Sequence, residues 1–287
     1  MLSFWRVIAV AAVILLTGCA HSSLQDKPNN SSECRQSEVA ACFRNPARYP
    51  EWLVGLIDPA APVIGRTVAM VRFREGYLAH DERVQRRLSK ELRPLDVLLV
   101  SSKGRLTGSA IPGLFTHAII YLGSQAQIQS LGIWNDPNFI PLRESISSGK
   151  TFVESDHRGV HLSTAAQILD VDKVLVLRPR LGSPHRTRKS LVVLAEHLGS
   201  RFDYHFDAGE PNRLYCSELV FHVMPELGLP VRHLYRREVV LPDDVAATGL
   251  EPRTKLSFVL YLSGKARNWT EQSRRKAISD LAAYWRR

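Results

Sequence analysis

The sequence lacks the patterns that mark several common classes of protein. It has 4 cysteines and 3 methionines in 287 residues, and no His-Glu-x-x-His run, zinc-finger spacing, RNP-like aromatic run, bZIP heptad or internal repeat. His157 and His161 flank a turn rather than forming a zinc-ligand pattern, and too few cysteines remain to complete one. We therefore expect no metal, no cofactor and no nucleic-acid partner.

Charge is unbalanced in a composition that is otherwise ordinary for a globular protein. The chain is 45% hydrophobic and 23% charged, with a formal net charge of +10. This length and composition allow one sizeable core with additional segments. The basic excess favours anionic neighbours such as lipid head groups or envelope polymers.

The N-terminal apolar run is of signal-peptide length and too short to span a bilayer comfortably. It covers residues 7–16, after Arg6, and Thr17-Gly18-Cys19 follow it. Together with the last residue of the run they form Leu16-Thr17-Gly18-Cys19, which resembles the lipobox of bacterial lipoproteins. This resemblance implies a signal peptide over 1–18 and acylation of Cys19. Ala20, rather than Asp, after that cysteine implies sorting to the periplasmic face of the outer membrane. The alternative is an ordinary cleaved signal.

The remaining cysteines differ in their surroundings. Residues 19–44 are polar and predict a flexible tether, in which Cys34 and Cys42 either pair in an oxidising compartment or stay free. Cys216 has no obvious partner, and a free thiol in such a compartment calls for a reason.

The rest of the chain divides into three predicted parts. We expect a helical N-terminal region over 45–92, a main domain over 93–262, and a basic amphipathic helix over 263–287 that either docks on the domain or lies on a membrane surface. In the main domain we predict β-strands at 94–100, 116–123, 151–155, 160–163, 174–177 and 256–262, a helix at 184–199, and a long irregular loop at 124–150 beside a cleft.

Cys216 is predicted at or near a helix start. Leu219, Val220, Val223 and Met224 follow a helical spacing, and a turn precedes them. Unpaired N–H groups and the helix dipole favour a thiolate there, as a cysteine nucleophile requires. The plainer interpretation is a buried structural cysteine.

A cysteine hydrolase also needs an imidazole and a group to orient it. His117 stands at the start of a predicted core strand, and Glu154 lies on a neighbouring strand with Asp156 as its rival; each also has an ordinary structural explanation. His222 and Glu218 point away from Cys216 on the helix. Tyr204, Tyr215, His205 and Asp207 are candidates for lining the cleft.

A family resemblance connects these segments. Asp96-Val97-Leu98-Leu99, Thr116–Gly123, Val153-Glu154-Ser155 with Gly159-Val160, Phe202–Asp207 and Tyr215–Val220 together resemble the YiiX/YaeF-type branch of the NlpC-like cysteine hydrolases. The resemblance implies an α+β, circularly permuted papain-like fold with a central antiparallel sheet, in which the histidine precedes the cysteine. It also implies Cys216 as nucleophile, His117 as base and Glu154 as the third member.

The expected function is a membrane-anchored cysteine hydrolase that cleaves an amide through a thioester, most plausibly in a cell-envelope peptide such as the peptidoglycan stem. Two alternatives remain. One is a lipid acyl hydrolase or acyltransferase, like the lecithin:retinol acyltransferase relatives, and the other is a non-catalytic envelope scaffold.

Overall fold

The computed structural model describes residues 58–106, 112–209, 212–266 and 268–286. The α-helices found there are α1 (Ala61–Met70), α2 (Glu82–Glu91), α3 (Gln125–Ser130), α4 (Arg143–Ser147), α5 (Ala165–Ile168), α6 (Pro184–Glu196), α7 (Cys216–Val223), α8 (Pro242–Leu250) and α9 (Arg274–Trp285). The strands are β1 (Val97–Ser101), β2 (His117–Tyr121), β3 (Lys150–Asp156), β4 (Gly159–Thr164), β5 (Lys173–Pro179), β6 (Arg232–Leu234), β7 (Arg237–Val239), β8 (Leu256–Lys265) and β9 (Asn268–Gln272).

One antiparallel sheet organises the fold, with the strand order β4-β3-β2-β1-β5-β8-β9, while β6 and β7 form a separate hairpin. The central β1, with the sequence Val-Leu-Leu-Val-Ser, is buried along its whole length. Such a continuous apolar run fits a strand that is covered on both faces. The α+β class and the central antiparallel sheet are therefore as predicted.

Alternation along the strands divides the core in two. Leu99 and Ala118 face one cluster, which also contains apolar residues of α6, α7, α8 and α9. Leu98 and Ile119 face the other, which includes Val84 and Leu88 from one side of α2. Each fully buried leucine contributes roughly 1.5–3 kcal/mol relative to exposure, so the two layers fix the sheet between helices.

The C-terminal helix α9 docks on the domain. Ala277, Ile278, Leu281 and Ala282 are buried, and the helix packs against β8 and α8. Of the two positions considered for the amphipathic segment, docking is therefore the one observed. Within the described ranges, no helix is both long and apolar enough to cross a membrane.

The prediction of an irregular loop over 124–150 was wrong. The segment contains α3 and α4, and it buries Ile128, Phe139 and Ile146 in the core. These apolar residues are too widely spaced to give a helical period, whereas the capping box of Ser124 with Gln127 was a usable signal. The β6–β7 hairpin and β9 were also missed.

Several predictions lie outside the described residues: the signal peptide, acylation of Cys19, the tether, the pairing of Cys34 with Cys42, and the helical pattern before residue 58.

Candidate active site

Helix α7 begins at Cys216, as predicted. The carboxylate of Glu218 accepts the backbone N–H of Tyr215 at 3.1 Å and so caps the first turn. Ser217 donates its hydroxyl to the carbonyl of Val240 at 2.7 Å. These two bonds fix the helix start, where backbone N–H groups lack intrahelical partners and the dipole favours an anion.

The strand register brings the other polar groups to one face of the sheet. Ile119 of β2 pairs with Glu154 of β3, and Glu154 pairs with His161 of β4. His117, two residues before Ile119, projects to the same face because side chains alternate along a strand. Three adjacent strands therefore present His117, Glu154 and His161 side by side.

Glu154 is bonded through both carboxylate oxygens. Its Oε2 lies 2.8 Å from Nε2 of His117, and its Oε1 accepts the hydroxyl of Ser163. Nε2 of His161 lies 3.5 Å from the same Oε1. Because His117 uses Nε2 for Glu154, its Nδ1 is the ring nitrogen left for Cys216, which lies close enough to the imidazole for their charges to interact.

The three groups favour their charged forms although Cys216 and Glu154 are buried and His117 is only partly exposed. Burial raises the pKa of the Cys216 thiol, but the charge and hydrogen bond of His117, with the Ala118 N–H, outweigh this and bring the pKa below its usual value. Burial lowers the pKa of His117, yet Cys216 and Glu154 raise it well above the usual value. Burial likewise opposes ionisation of Glu154, whereas the imidazoles hold its pKa well below the usual range.

Ser155 connects the carboxylate strand to the cysteine helix. Its buried hydroxyl donates to the carbonyl of Leu214 at 2.6 Å, two residues before Cys216. Because Ser155 and Glu154 are neighbours on β3, this bond fixes the distance between the first residue of α7 and the Glu154 carboxylate.

A cleft of about 730 Å³ opens at these groups. His117, Glu154 and Cys216 line it, together with an aromatic wall of Phe202, Tyr204 and Phe206. Helix α1 contributes Gly65, where an added Cβ would come within 2.6 Å of the Tyr204 ring. The remaining polar lining carries both charge signs and comprises Arg72, Glu75, His80, Ser102, Arg105, Thr116, Ser155, Asp156, His157, Arg158, Gln167 and Asp170.

Among the residues predicted to contact substrate, Tyr204 lines the cleft and Tyr215 does not. Tyr215 is 1% exposed, and its hydroxyl accepts the Val240 N–H at 2.8 Å. As the residue before the helix it turns into the core, so we withdraw its assignment to substrate binding. His205 contacts Asp58 at 3.0 Å, and Asp207 donates its backbone N–H to Asp203; neither lines the cleft.

Asp156, the rival orienting group, and the excluded pair His222 and Glu218 all have other partners. Asp156 pairs with Arg158 at 2.7 Å rather than with His117. His222 lies 3.4 Å from Glu218, so both are engaged with each other. In the part of the chain that the structure describes, no group of three or more His, Cys, Asp or Glu side chains could hold a metal ion.

Sequence reasoning missed His161 and Ser163 as contacts of Glu154. A signal was available, because a hairpin turn over Asp156–Gly159 places residue 161 opposite residue 154.

A cysteine at a helix start that shares a cleft with a histidine and a carboxylate on an antiparallel sheet is typical of cysteine hydrolases with a papain-like site, here with the histidine first in the chain. The model of the permuted papain-like amidases of the YaeF/YiiX type, the C92 peptidase family, matches residues 91–267. This match covers more than half of the chain, which therefore belongs to that family and is a cysteine hydrolase.

No curated protein matches the chain. Among solved structures, it is similar to the crystal structure of the metalloprotein yiiX from Escherichia coli O157:H7, with 17% identity, coverage of 63% of this chain and 99% of that chain, and a TM-score of 0.42.

Proposed function

We propose that Cys216 is the nucleophile, His117 its general base and acid, and Glu154 the group that orients His117. The observation that carries this assignment is that Cys216, His117 and Glu154 line one cleft, with Nε2 of His117 2.8 Å from Glu154 and the imidazole near enough to the thiol to shift its pKa. The carboxylate fixes the ring so that Nδ1 faces the sulfur, as the third member of such a triad does.

The reaction follows from these contacts. The Cys216 thiolate attacks the carbonyl carbon of an amide, and the resulting oxyanion is stabilised by N–H groups at the start of α7. The His117 imidazolium gives its proton to the departing amine, which leaves a thioester on Cys216. His117 then takes a proton from water as the water attacks the thioester, and an acid and the free thiol are released.

The substrate that we propose is a cell-envelope peptide, such as the peptidoglycan stem. The family is one of amidases, which supports an amide as the bond cleaved. The cleft wall carries charged groups of both signs, among them the ion pairs Arg158–Asp156 and Arg105–Asp170, and such a polar wall suits a peptide that carries amino and carboxyl groups. An export signal would bring the enzyme to such peptides.

A lipid acyl ester is the second candidate, because part of the cleft is apolar. Phe202, Phe206, Ile119 and Ile168 line it, and surfaces of this kind accommodate acyl chains. The same thioester chemistry would then release a fatty acid or transfer it.

We also propose that acylated Cys19 anchors the enzyme at the periplasmic face of the outer membrane. The support is the lipobox-like Leu16-Thr17-Gly18-Cys19 with Ala20 after it. Several acyl chains on one residue bind a bilayer much more firmly than one chain does.

The test is product analysis with the detergent-solubilised full chain. Wild type and Cys216→Ala are incubated separately with peptidoglycan fragments and with phospholipid vesicles, and products are identified by mass spectrometry. We expect released peptides from wild type and a loss of at least about 10⁴-fold in the variant.

Fatty acid or lyso-lipid from the vesicles alone would favour the lipid candidate. If wild type and Cys216→Ala release equal products, or if the wild-type thiol stays unlabelled by an electrophile at neutral pH, the nucleophile assignment is wrong and the scaffold alternative gains.

A further inference from the structure

His161 has a hydrogen-bond acceptor beside each of its ring nitrogens. Nδ1 lies 2.8 Å from the carbonyl oxygen of Gly159, and Nε2 lies 3.5 Å from Oε1 of Glu154. Nε2 is buried and has no hydrogen bond of ordinary geometry. His161 does not line the cleft, so its contacts are with the protein and not with the space for substrate.

Neither neutral form of the His161 ring fits these neighbours. With the proton on Nδ1, the lone pair of Nε2 faces a carboxylate oxygen. With the proton on Nε2, the lone pair of Nδ1 faces the Gly159 carbonyl at 2.8 Å. A neutral imidazole has one donor and one acceptor nitrogen, whereas the imidazolium has two donors. Only the charged ring therefore offers a donor to both oxygens.

We propose that His161 is a positioning residue that remains an imidazolium at neutral pH and holds the far oxygen of Glu154, so that the near oxygen stays ionised and directed at His117. The proposal rests on the proposed function of Cys216, His117 and Glu154. It adds a cation to the catalytic group, so that positive and negative charges alternate from the thiolate through His117 and Glu154 to His161.

The other charged groups near His161 have opposite effects on its charge. Asp156 on β3 places Oδ1 3.8 Å from Nδ1 and favours the imidazolium, whereas Arg158 in the turn reaches within 4.0 Å of Oε1 of Glu154 and opposes it from a longer distance. Burial lowers the pKa of His161, but the nearby Glu154 carboxylate, the hydrogen bond to Gly159 and the charge of Asp156 raise it above the usual value. The two carboxylates thus outweigh burial.

Nuclear magnetic resonance of the full chain, labelled with ¹⁵N-histidine, tests the charge directly. We expect the two ring nitrogens of His161 to have nearly equal shifts at neutral pH, as in an imidazolium, and to separate only as the pH rises above the usual histidine range. Widely separated shifts at neutral pH would show a neutral ring and overturn the proposal. The His161 signals are assigned among the ten histidines by their absence from His161→Gln.

A kinetic test uses His161→Gln, which keeps an amide donor and removes the charge. The probe is iodoacetamide labelling of Cys216, followed by mass spectrometry as a function of pH. Loss of the cation raises the pKa of the thiol, so we expect the acid limb of the profile to move up by about half a pH unit or more. The control is His185→Gln, because His185 is an exposed histidine on α6 outside the cleft.

A purely structural role would change the amplitude of labelling without moving the pH midpoint, and that result would contradict the proposal. The labelling and resonance measurements use no substrate. They therefore remain decisive even if the wild-type enzyme cleaves neither the peptide nor the lipid, a result that would count against the proposed function alone.

Discussion

Cys216 is 5% exposed, and a thiol buried to this degree would ordinarily stay protonated. Here the environment reverses that tendency, because the His117 imidazole is bonded to the sulfur on one side and to Glu154 on the other. Each of the three groups favours its charged form because an opposite charge lies beside it. The reactivity of the Cys216 thiol should therefore depend on His117 more than on the solvent exposure of the sulfur.

The first prediction concerns His117→Ala. Without the imidazolium, burial raises the pKa of Cys216 against only the weaker effects of the Ala118 N–H and the Ser217 side chain, so less thiolate is present at neutral pH. We expect labelling by iodoacetamide at about pH 7 to fall by about tenfold or more, since the lower thiolate fraction outweighs the greater nucleophilicity of a more basic thiolate. In wild type, labelling should persist below the usual thiol pKa.

Cys216→Ala is the control, because peptide mass spectrometry must assign the label to this cysteine and not to Cys34 or Cys42. Equal labelling of wild type and His117→Ala across the pH range would show that the imidazole does not control the thiol.

The sequence allowed Cys216, His117 and Glu154 to be proposed because each has a local mark: a helix start, the start of a strand, and an acid among apolar strand residues. Tyr215 was misjudged because adjacency to Cys216 does not reveal which way a ring turns at a helix start. His161 was missed because its contact with Glu154 depends on strand register. The turn Asp156–Gly159 specifies that register and places residue 161 opposite residue 154.

At the scale of elements, buried Asp243 joins three parts of the fold. Located in the first turn of α8, it accepts the backbone N–H groups of Leu114 and Phe115 at 2.7 and 2.8 Å, and the indole N–H of Trp285 at 2.8 Å. Leu114 and Phe115 lead directly into β2 and His117. The C-terminal helix thus shares a carboxylate with the segment that leads into His117.

The second prediction is that Trp285→Phe destabilises the protein through this junction. A buried acceptor loses one donor, at a cost of about 1–2 kcal/mol in the free energy of unfolding, measured by urea denaturation. Burial raises the pKa of Asp243 to about 7, against the three hydrogen bonds. Below that pH the carboxyl is largely protonated in the folded protein, and above it the carboxylate depends on its donors.

The sign of the pH dependence follows. The pKa of Asp243 in the folded protein is raised above its unfolded value of 3.8. The contribution of Asp243 to the free energy of unfolding of the wild type therefore falls as the pH rises from about 4 to about 7, and it is constant above that pH. Removing the indole donor raises the pKa of Asp243 in the folded protein further. The loss in the free energy of unfolding caused by Trp285→Phe should therefore be larger at about pH 8.5 than at about pH 5.5.

Trp269→Phe is a matched control, because the Trp269 indole donates at 3.0 Å to Asp81, a partly exposed helix-capping carboxylate. Water can replace that donor, so we expect a smaller loss, under about 1 kcal/mol. Equal losses in the two variants would show that burial of Asp243 is not the cause.

Elements with strong periodic patterns could be predicted from the sequence, and weakly periodic ones could not. β1, β2, β8 and α6 were expected close to their observed positions, because long apolar runs or regular spacing mark them. The 124–150 segment places its apolar residues singly into the core, and the short β6–β7 hairpin carries alternating charge instead of an apolar face. Their structure depends on tertiary contacts.

At the scale of the whole molecule, charge and the N-terminal sequence point to the same neighbour. With residues 1–18 removed, the remaining chain keeps a net charge of 37 − 28 = +9, since Arg6 is the only charged residue removed. A basic protein tethered by acyl chains stays close to anionic head groups and polymers. The proposed enzyme would then meet its substrate at a surface.

The third prediction concerns the anchor and separates two sources of membrane association. Cys19→Ser cannot be acylated, so we expect it to appear in the soluble fraction on cell fractionation and to lose incorporation of labelled palmitate. If charge alone held the protein at the membrane, the variant would remain bound at low salt and be released at about 1 M salt, where the screening length falls to about 3 Å.

Ala20→Asp tests whether the residue after Cys19 directs the protein to the outer membrane, and it is matched to Cys19→Ser. It keeps the acylated cysteine and changes only the residue after it, which in Gram-negative bacteria directs retention at the inner membrane. We expect palmitate labelling to be unchanged while density-gradient fractionation moves the protein from outer to inner membrane. Outer-membrane location in both Ala20→Asp and wild type would contradict sorting by this residue. The relocated enzyme should still label at Cys216, because its described site lies entirely after residue 57.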